Sequence, residues 1–157
     1  MGDLLTDCSR SAMRIAHDEA ERWNHEFVDA EHILLGILRA ECGVAWEVLT
    51  TSRCASGKNL LGAIESELAR RPAVSFEGRR HLTVEVKRCV EQGMIEAGTM
   101  GDALIDTEHI LLGLLHSPTG VAATLIEKAG IDSALVRIEV LESSRVRRQA
   151  IAPPAKR

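Results

Sequence analysis

Residues 29–49, DAEHILLGILRAECGVAWEVL, return at residues 106–126 as DTEHILLGLLHSPTGVAATLI. Eleven of the 21 aligned positions are identical, without a gap, at a constant offset of 77 residues from Asp29 to Asp106. A self-similarity of this kind is read before any other feature, because it fixes the architecture within which every later element has to fit. The offset extends outward: Leu5-Thr6 answers Leu82-Thr83, Ala20 answers Ala97, and Trp23 answers Met100. The period is too long for a solenoid unit. It implies a duplicated half-domain, with two copies packed about a pseudo-two-fold axis.

The composition favours helix. Ala, Leu, Ile, Val and Glu dominate, and there are two Trp, two Phe and no Tyr. Around the repeat, apolar spacing gives four helices per half. In the first half, Thr6 caps a helix running to about Trp23 through Ala12, Met13, Ala16 and Ala20. Asn24-His25-Glu26 forms a turn, and Asp29 or Ala30 opens a second helix. Ile33, Leu34, Leu35, Ile37 and Leu38 are apolar almost all round, so this second helix should be central. Gly36 lies inside it and Gly113 inside its copy, which implies close approach of another helix backbone. A third helix over residues 44–51 and a fourth over 60–71, capped by Ser56 and stopped by Pro72, complete the half. In the second half Thr83 caps the fifth helix, with Val86, Val90, Met94, Ala97 and Met100 inward. Asp106-Thr107 opens the sixth, Pro118 sits in the first turn of the seventh, and the eighth runs from Asp132 or Ser133 to about Ser143. The expected fold is therefore all-α: a tandem duplication of a four-helix repeat, packed as a pseudo-two-fold eight-helix domain. Repeat 1 spans 3–72, repeat 2 spans 80–145, and 146–157 is a flexible tail or linker.

Charge and motifs exclude several classes. A net charge of −4 argues against a general nucleic-acid binder, which needs Lys and Arg to displace phosphate counterions. The run Arg145–Arg148 reads as a solvated linker. No stretch approaches a membrane span, and no G-x4-GK[ST] phosphate loop occurs, since Gly57-Lys58-Asn59 lacks both the first Gly and the hydroxyl. Cys8, Cys42, Cys54 and Cys89 form no CxxC pair and read as free thiols in a reducing, cytoplasmic setting. His32 and His109 read as core or capping histidines. No metal-ligand spacing, cofactor motif or nucleophile constellation is present.

LT at 5–6 and 82–83, NH at 24–25, and EHILLG followed by GVA in both copies resemble the N-terminal domain of the Clp ATPases, of the ClpC and ClpA type. The resemblance covers residues 3–145. It implies an all-helical pseudo-dimer without enzymatic activity that binds protein substrates and adaptor proteins for a Clp AAA+ unfoldase–protease. The chain is then part of such an unfoldase, or a stand-alone domain that sequesters marked proteins or small molecules and regulates the protease. In ClpC-type members the resemblance further implies two equivalent phosphoarginine sites. A Glu at the start of the EHILLG helix takes the guanidinium, and the phosphate lies near the start of the repeat's first helix. Those positions match Glu31 with Thr6, and Glu108 with Thr83. The sequence departs from the family pattern at Asp29 and Asp106 (usually Gly), at Leu5 and Leu82 (usually aromatic), and at Cys8 and Glu85 (usually basic). Added carboxylates repel a phosphate dianion, so a cationic segment or an adaptor is the alternative ligand. Glu31 and Glu108 also admit a simpler role, as carboxylates at the positive end of a helix dipole.

Overall fold

The structure, a computed structural model, describes residues 4–51 and 57–151. Among these it contains eight α-helices and one two-stranded parallel pairing. Repeat 1 comprises α1 (Asp7–Arg22), β1 (Phe27–Val28), α2 (Ala30–Ala40), α3 (Gly43–Thr51) and α4 (Gly57–Arg70). Repeat 2 comprises β2 (His81–Leu82), α5 (Val84–Met100), α6 (Thr107–Leu114), α7 (Val121–Lys128) and α8 (Ser133–Ile151). No described helix is long and apolar enough to cross a membrane.

The central position of the repeated helix is confirmed. Ile33, Leu34, Leu35 and Ile37 of α2, and Ile110, Leu111 and Leu112 of α6, are fully buried. The two glycines explain how so short a helix is enclosed. A Cβ on Gly36 would stand 2.2 Å from the Ala12 carbonyl oxygen of α1, and one on Gly113 would stand 2.0 Å from the Cys89 carbonyl oxygen of α5. Ala12 and Cys89 are themselves related by the 77-residue offset. Both repeats thus use the same glycine to let two helix backbones touch.

The halves interlock by exchanging their leading segments. β2, which leads into α5 of repeat 2, pairs in parallel with β1 of repeat 1, with Phe27 opposite His81 and Val28 opposite Leu82. The offset mate of this pairing is a parallel bridge between Leu5 and Ile105. There Ile105 N–H donates to Leu4 O at 2.7 Å, and Thr6 N–H donates to Ile105 O at 3.1 Å. Each first helix is thereby aimed at the start of the other repeat's second helix. Farther out, α3 packs on α6 and α8, and α4 packs on α7.

Several expectations are corrected. Helix α8 does not end near Ser143 but continues to Ile151, so residues 146–151 are helix rather than flexible tail. The cause is visible in the offset: Pro72, which follows the end of α4, corresponds to Gln149, which can continue a helix. Pro118 lies ahead of α7, whose N-cap is Gly120. Met94 is exposed (40%), and Gly93 takes the buried place on α5. Cys8 and Cys42 are not free thiols but are joined by a disulfide, with Cα atoms 6.0 Å apart, while Cys89 is free. Cys54 and Ser56 lie outside the described residues.

Substitution at the glycine crossings gives a direct check. Gly36→Ala or Gly113→Ala must push backbone from backbone, and should destabilise the fold by about 1–3 kcal/mol, or several degrees in melting temperature. Gly62→Ala, on an exposed face of α4 with nothing within 4 Å of the added methyl, should stabilise by about 0.5–1 kcal/mol. Thermal unfolding of the three variants measures both signs.

Candidate functional site: two acidic notches at the repeat junction

Thr6 and Thr83 act as N-caps, their hydroxyls accepting from Ser9 N–H and Val86 N–H. Asp29 and Asp106 cap α2 and α6, accepting from Ala30 N–H at 3.0 Å and Thr107 N–H at 2.7 Å. The caps meet across the junction. Thr6 donates its hydroxyl to Asp106 Oδ1 at 2.8 Å, and Thr83 donates to Asp29 Oδ1 at 3.2 Å. This corrects the pairing that the family resemblance implies: Thr6 belongs with Asp106 and Glu108, and Thr83 with Asp29 and Glu31. Each candidate site is built from both repeats.

The histidines that follow are structural, as expected. His32 Nδ1 accepts from Asp29 N–H at 2.9 Å, and His109 Nδ1 accepts from Asp106 N–H at 2.8 Å, closing a capping box in each repeat. With Nδ1 so used, the ring proton sits on Nε2. His32 donates it to His25 Nδ1 at 2.9 Å, and His109 donates to Asp102 Oδ2 at 3.0 Å. Burial, with the neighbouring His25, lowers His32 to about 4, so it stays neutral. Burial also lowers His109, against the opposing pull of Asp102.

The carboxylates behind the caps are deeply placed: Glu31 is 1% exposed and Glu108 is 6% exposed. Glu31 meets a cation. Arg71, just past the end of α4, sets Nη2 2.5 Å from Glu31 Oε1 and Nη1 3.0 Å from Asp29 Oδ2. Burial raises Glu31, while its own backbone amide and Arg71 oppose the rise. Glu108 has no ion-pair partner among the described residues. Its Oε2, like both carboxyl oxygens of Glu31, makes no hydrogen bond, so the two glutamates differ in the ion pair alone. Burial first, then the charge of Asp106, raises Glu108 to about 7.

Two cavities open over these groups. The first, about 270 Å³, is lined by His25, Phe27, Asp29, Arg71, Val74 and Thr83, among others. The second, about 350 Å³, is lined by Asp102, Leu104, Asp106, Arg148, Ile151 and Thr6 at the matching positions, and in addition by Glu108, His109, Ser144 and Arg147. Arg147 stands 3.9 Å from Asp106, and Arg148 donates to Asp102 at 2.7 Å. The basic run read as a solvated linker is therefore part of the second site. Its signal was present in the sequence, because Arg70-Arg71 and Arg147-Arg148 stand at the 77-residue offset. Among the described residues no group of His, Cys, Asp and Glu could hold a metal ion.

The family model for the Clp repeat N-terminal domain matches this chain twice, over residues 4–117 and 82–154. The chain belongs to the Clp N-terminal domain family. It is 34% identical over 138 residues to the negative regulator of genetic competence ClpC/MecB of Bacillus subtilis, covering 88% of this chain. It is also 34% identical over 151 residues to a probable ATP-dependent Clp protease ATP-binding subunit of Chlamydia pneumoniae, covering 90% of this chain. The chain spans 17% of the length of either relative. The N-terminal domain of ClpD from Arabidopsis thaliana shares the fold at a TM-score of 0.72 and 20% identity, over 91% of this chain and 96% of that one. The Hsp104 N-terminal domain from Candida albicans shares it at a TM-score of 0.79 and 13% identity, over 89% and 91%. In the Clp ATPases this is a domain distinct from the ATPase modules.

The raised Glu108 carries a pH signature. From its ordinary value of 4.5 up to about 7 the unfolded chain ionises this group while the fold keeps it protonated. Its contribution to stability is therefore full below pH 4.5 and falls as pH rises towards 7, by on the order of 3 kcal/mol in all. Glu108→Gln keeps the neutral shape and removes the titration. Its melting temperature relative to the parent should climb steadily from pH 5 to pH 8, and a flat difference would mean that Glu108 titrates normally.

Proposed function

We propose that this domain is a non-catalytic recognition module that holds protein substrates or adaptor proteins for a Clp AAA+ unfoldase–protease. Its ligands enter through the acidic notches and present a guanidinium, either in a cationic segment or as phosphoarginine. The observation that carries this reading is Glu108, a deeply placed carboxylate at a helix start with no cation of its own, facing a cavity large enough for a side chain. A planar guanidinium fork matches such a carboxylate, and its arrival would ionise Glu108 and form a charge-assisted contact. The added carboxylates Asp29 and Asp106 weigh less against a phosphate than their number suggests. Each is committed to its cap and to a threonine hydroxyl, and Arg147 at the rim of the second notch supplies positive charge. Leu104 and Ile151 add an apolar edge for the stem of the incoming side chain.

Calorimetric titration with phosphoarginine should give heat, and Glu108→Ala should weaken binding by about 1.5–3 kcal/mol, roughly ten- to a hundredfold. Binding at pH 6 should also release a proton, seen as heat that depends on the ionisation enthalpy of the buffer. Silence at millimolar ligand retires phosphoarginine and leaves cationic segments and adaptors, to be tested by pulldown with the same variant.

A further inference from the structure

The two notches correspond residue for residue, so the places where they differ are informative. Arg71 and Arg148 are offset mates, and so are His25 and Asp102. Around the first notch, position 25 carries an imidazole whose Nδ1 is already held by His32. Arg71 is left to turn inward, where it bridges Asp29 and Glu31 at 3.0 and 2.5 Å. Around the second notch, position 102 carries a carboxylate. Asp102 takes Arg148 at 2.7 Å, and Glu108 is left without a cation. The cavities record the outcome. Glu108 lines the second one, whereas Glu31 does not line the first, in which Arg71 stands instead. Ser144, buried with its hydroxyl unpartnered, also faces only the second cavity.

We propose that the protein has one open notch and one closed one: Arg71 fills the first as an internal guanidinium ligand, and the residue at positions 25 and 102 decides which notch stays open. This rests on the reading of the notches as ligand sites given above. Arg71 is chemically the ligand class that the notch would otherwise recruit. It meets both the cap aspartate and the buried glutamate, so an incoming guanidinium must displace it. Arg148 comes from the same place in its own repeat but is diverted by Asp102, and the notch beside it remains available. The domain then grips one guanidinium-bearing side chain per copy, at Glu108.

The experiment is a binding stoichiometry on the whole chain, by calorimetry with phosphoarginine and, in a parallel series, with an acetylated arginine amide. The wild-type protein should bind one equivalent. Arg71→Ala should bind two, and Arg71→Ala with Glu31→Gln should return to one, because the opened notch then lacks its carboxylate. Asp102→His, which leaves Arg71 untouched, should free Arg148 to turn on Glu108 and weaken the remaining site at least tenfold. Thermal melts establish that each variant is folded, and Asp102→His tests the claim from the other side should Arg71→Ala not fold. Two equal sites in the wild type overturn the inequality, and a single site in folded Arg71→Ala overturns Arg71 as what closes the first notch; both leave the notches as ligand sites. Failure of every variant to bind either probe removes the ligand reading itself, and this inference with it.

Discussion

A threonine hydroxyl from one half of this protein meets a helix-capping aspartate from the other, and it does so twice. Most of the functional geometry descends from that contact. Each threonine caps its own first helix while its hydroxyl hydrogen reaches across the junction, so one short side chain satisfies partners in both repeats. The aspartate it meets is simultaneously tied to its own helix start and, through the backbone, to a histidine three residues on. The leading segments pair in parallel beside these caps and set the register. Since a slip would break caps in both halves at once, the junction is fixed by polar contacts of defined geometry as well as by apolar burial.

That geometry has an electrostatic cost. Placing a cap aspartate two residues before a buried glutamate puts two carboxyl groups together in a poorly solvated spot. The helix dipole offsets part of this, by about 0.3–1 kcal/mol, which is too little to keep a deeply buried carboxylate ionised. The two repeats resolve the conflict differently. One brings in a guanidinium, and the other lets the glutamate hold its proton to about pH 7. The same backbone therefore carries an ion pair at one junction and a near-neutral acid at the other.

The fold was legible in the sequence because a long gapless repeat reports symmetry directly, and because cap residues, apolar spacing and the paired glycines all agreed with it. Gly36 and Gly113 announced the helix crossings before any coordinate. The content of the site was less legible. An offset shows which residues are equivalent, not which touch, so Thr6 was matched with Glu31 although it meets Asp106. Composition alone made Arg147 and Arg148 look like linker, while their equivalence to Arg70 and Arg71 marked them as belonging to a fourth helix. The absence of a proline at Gln149 carried the same message. The Cys8–Cys42 disulfide joins α1 to the connection between α2 and α3, a proximity that no spacing rule encodes.

The exchange of leading segments has a consequence for how such a protein can change. A chain holding only one of these halves would own the floor of a notch but not its lip. It would need a second copy of itself to complete either one, and every mutation would then appear in both. Joining the copies end to end removes that restriction. A replacement such as histidine for aspartate at positions 25 and 102 can now retune one side and spare the other, so the fused pair is free to specialise where a symmetric dimer is not.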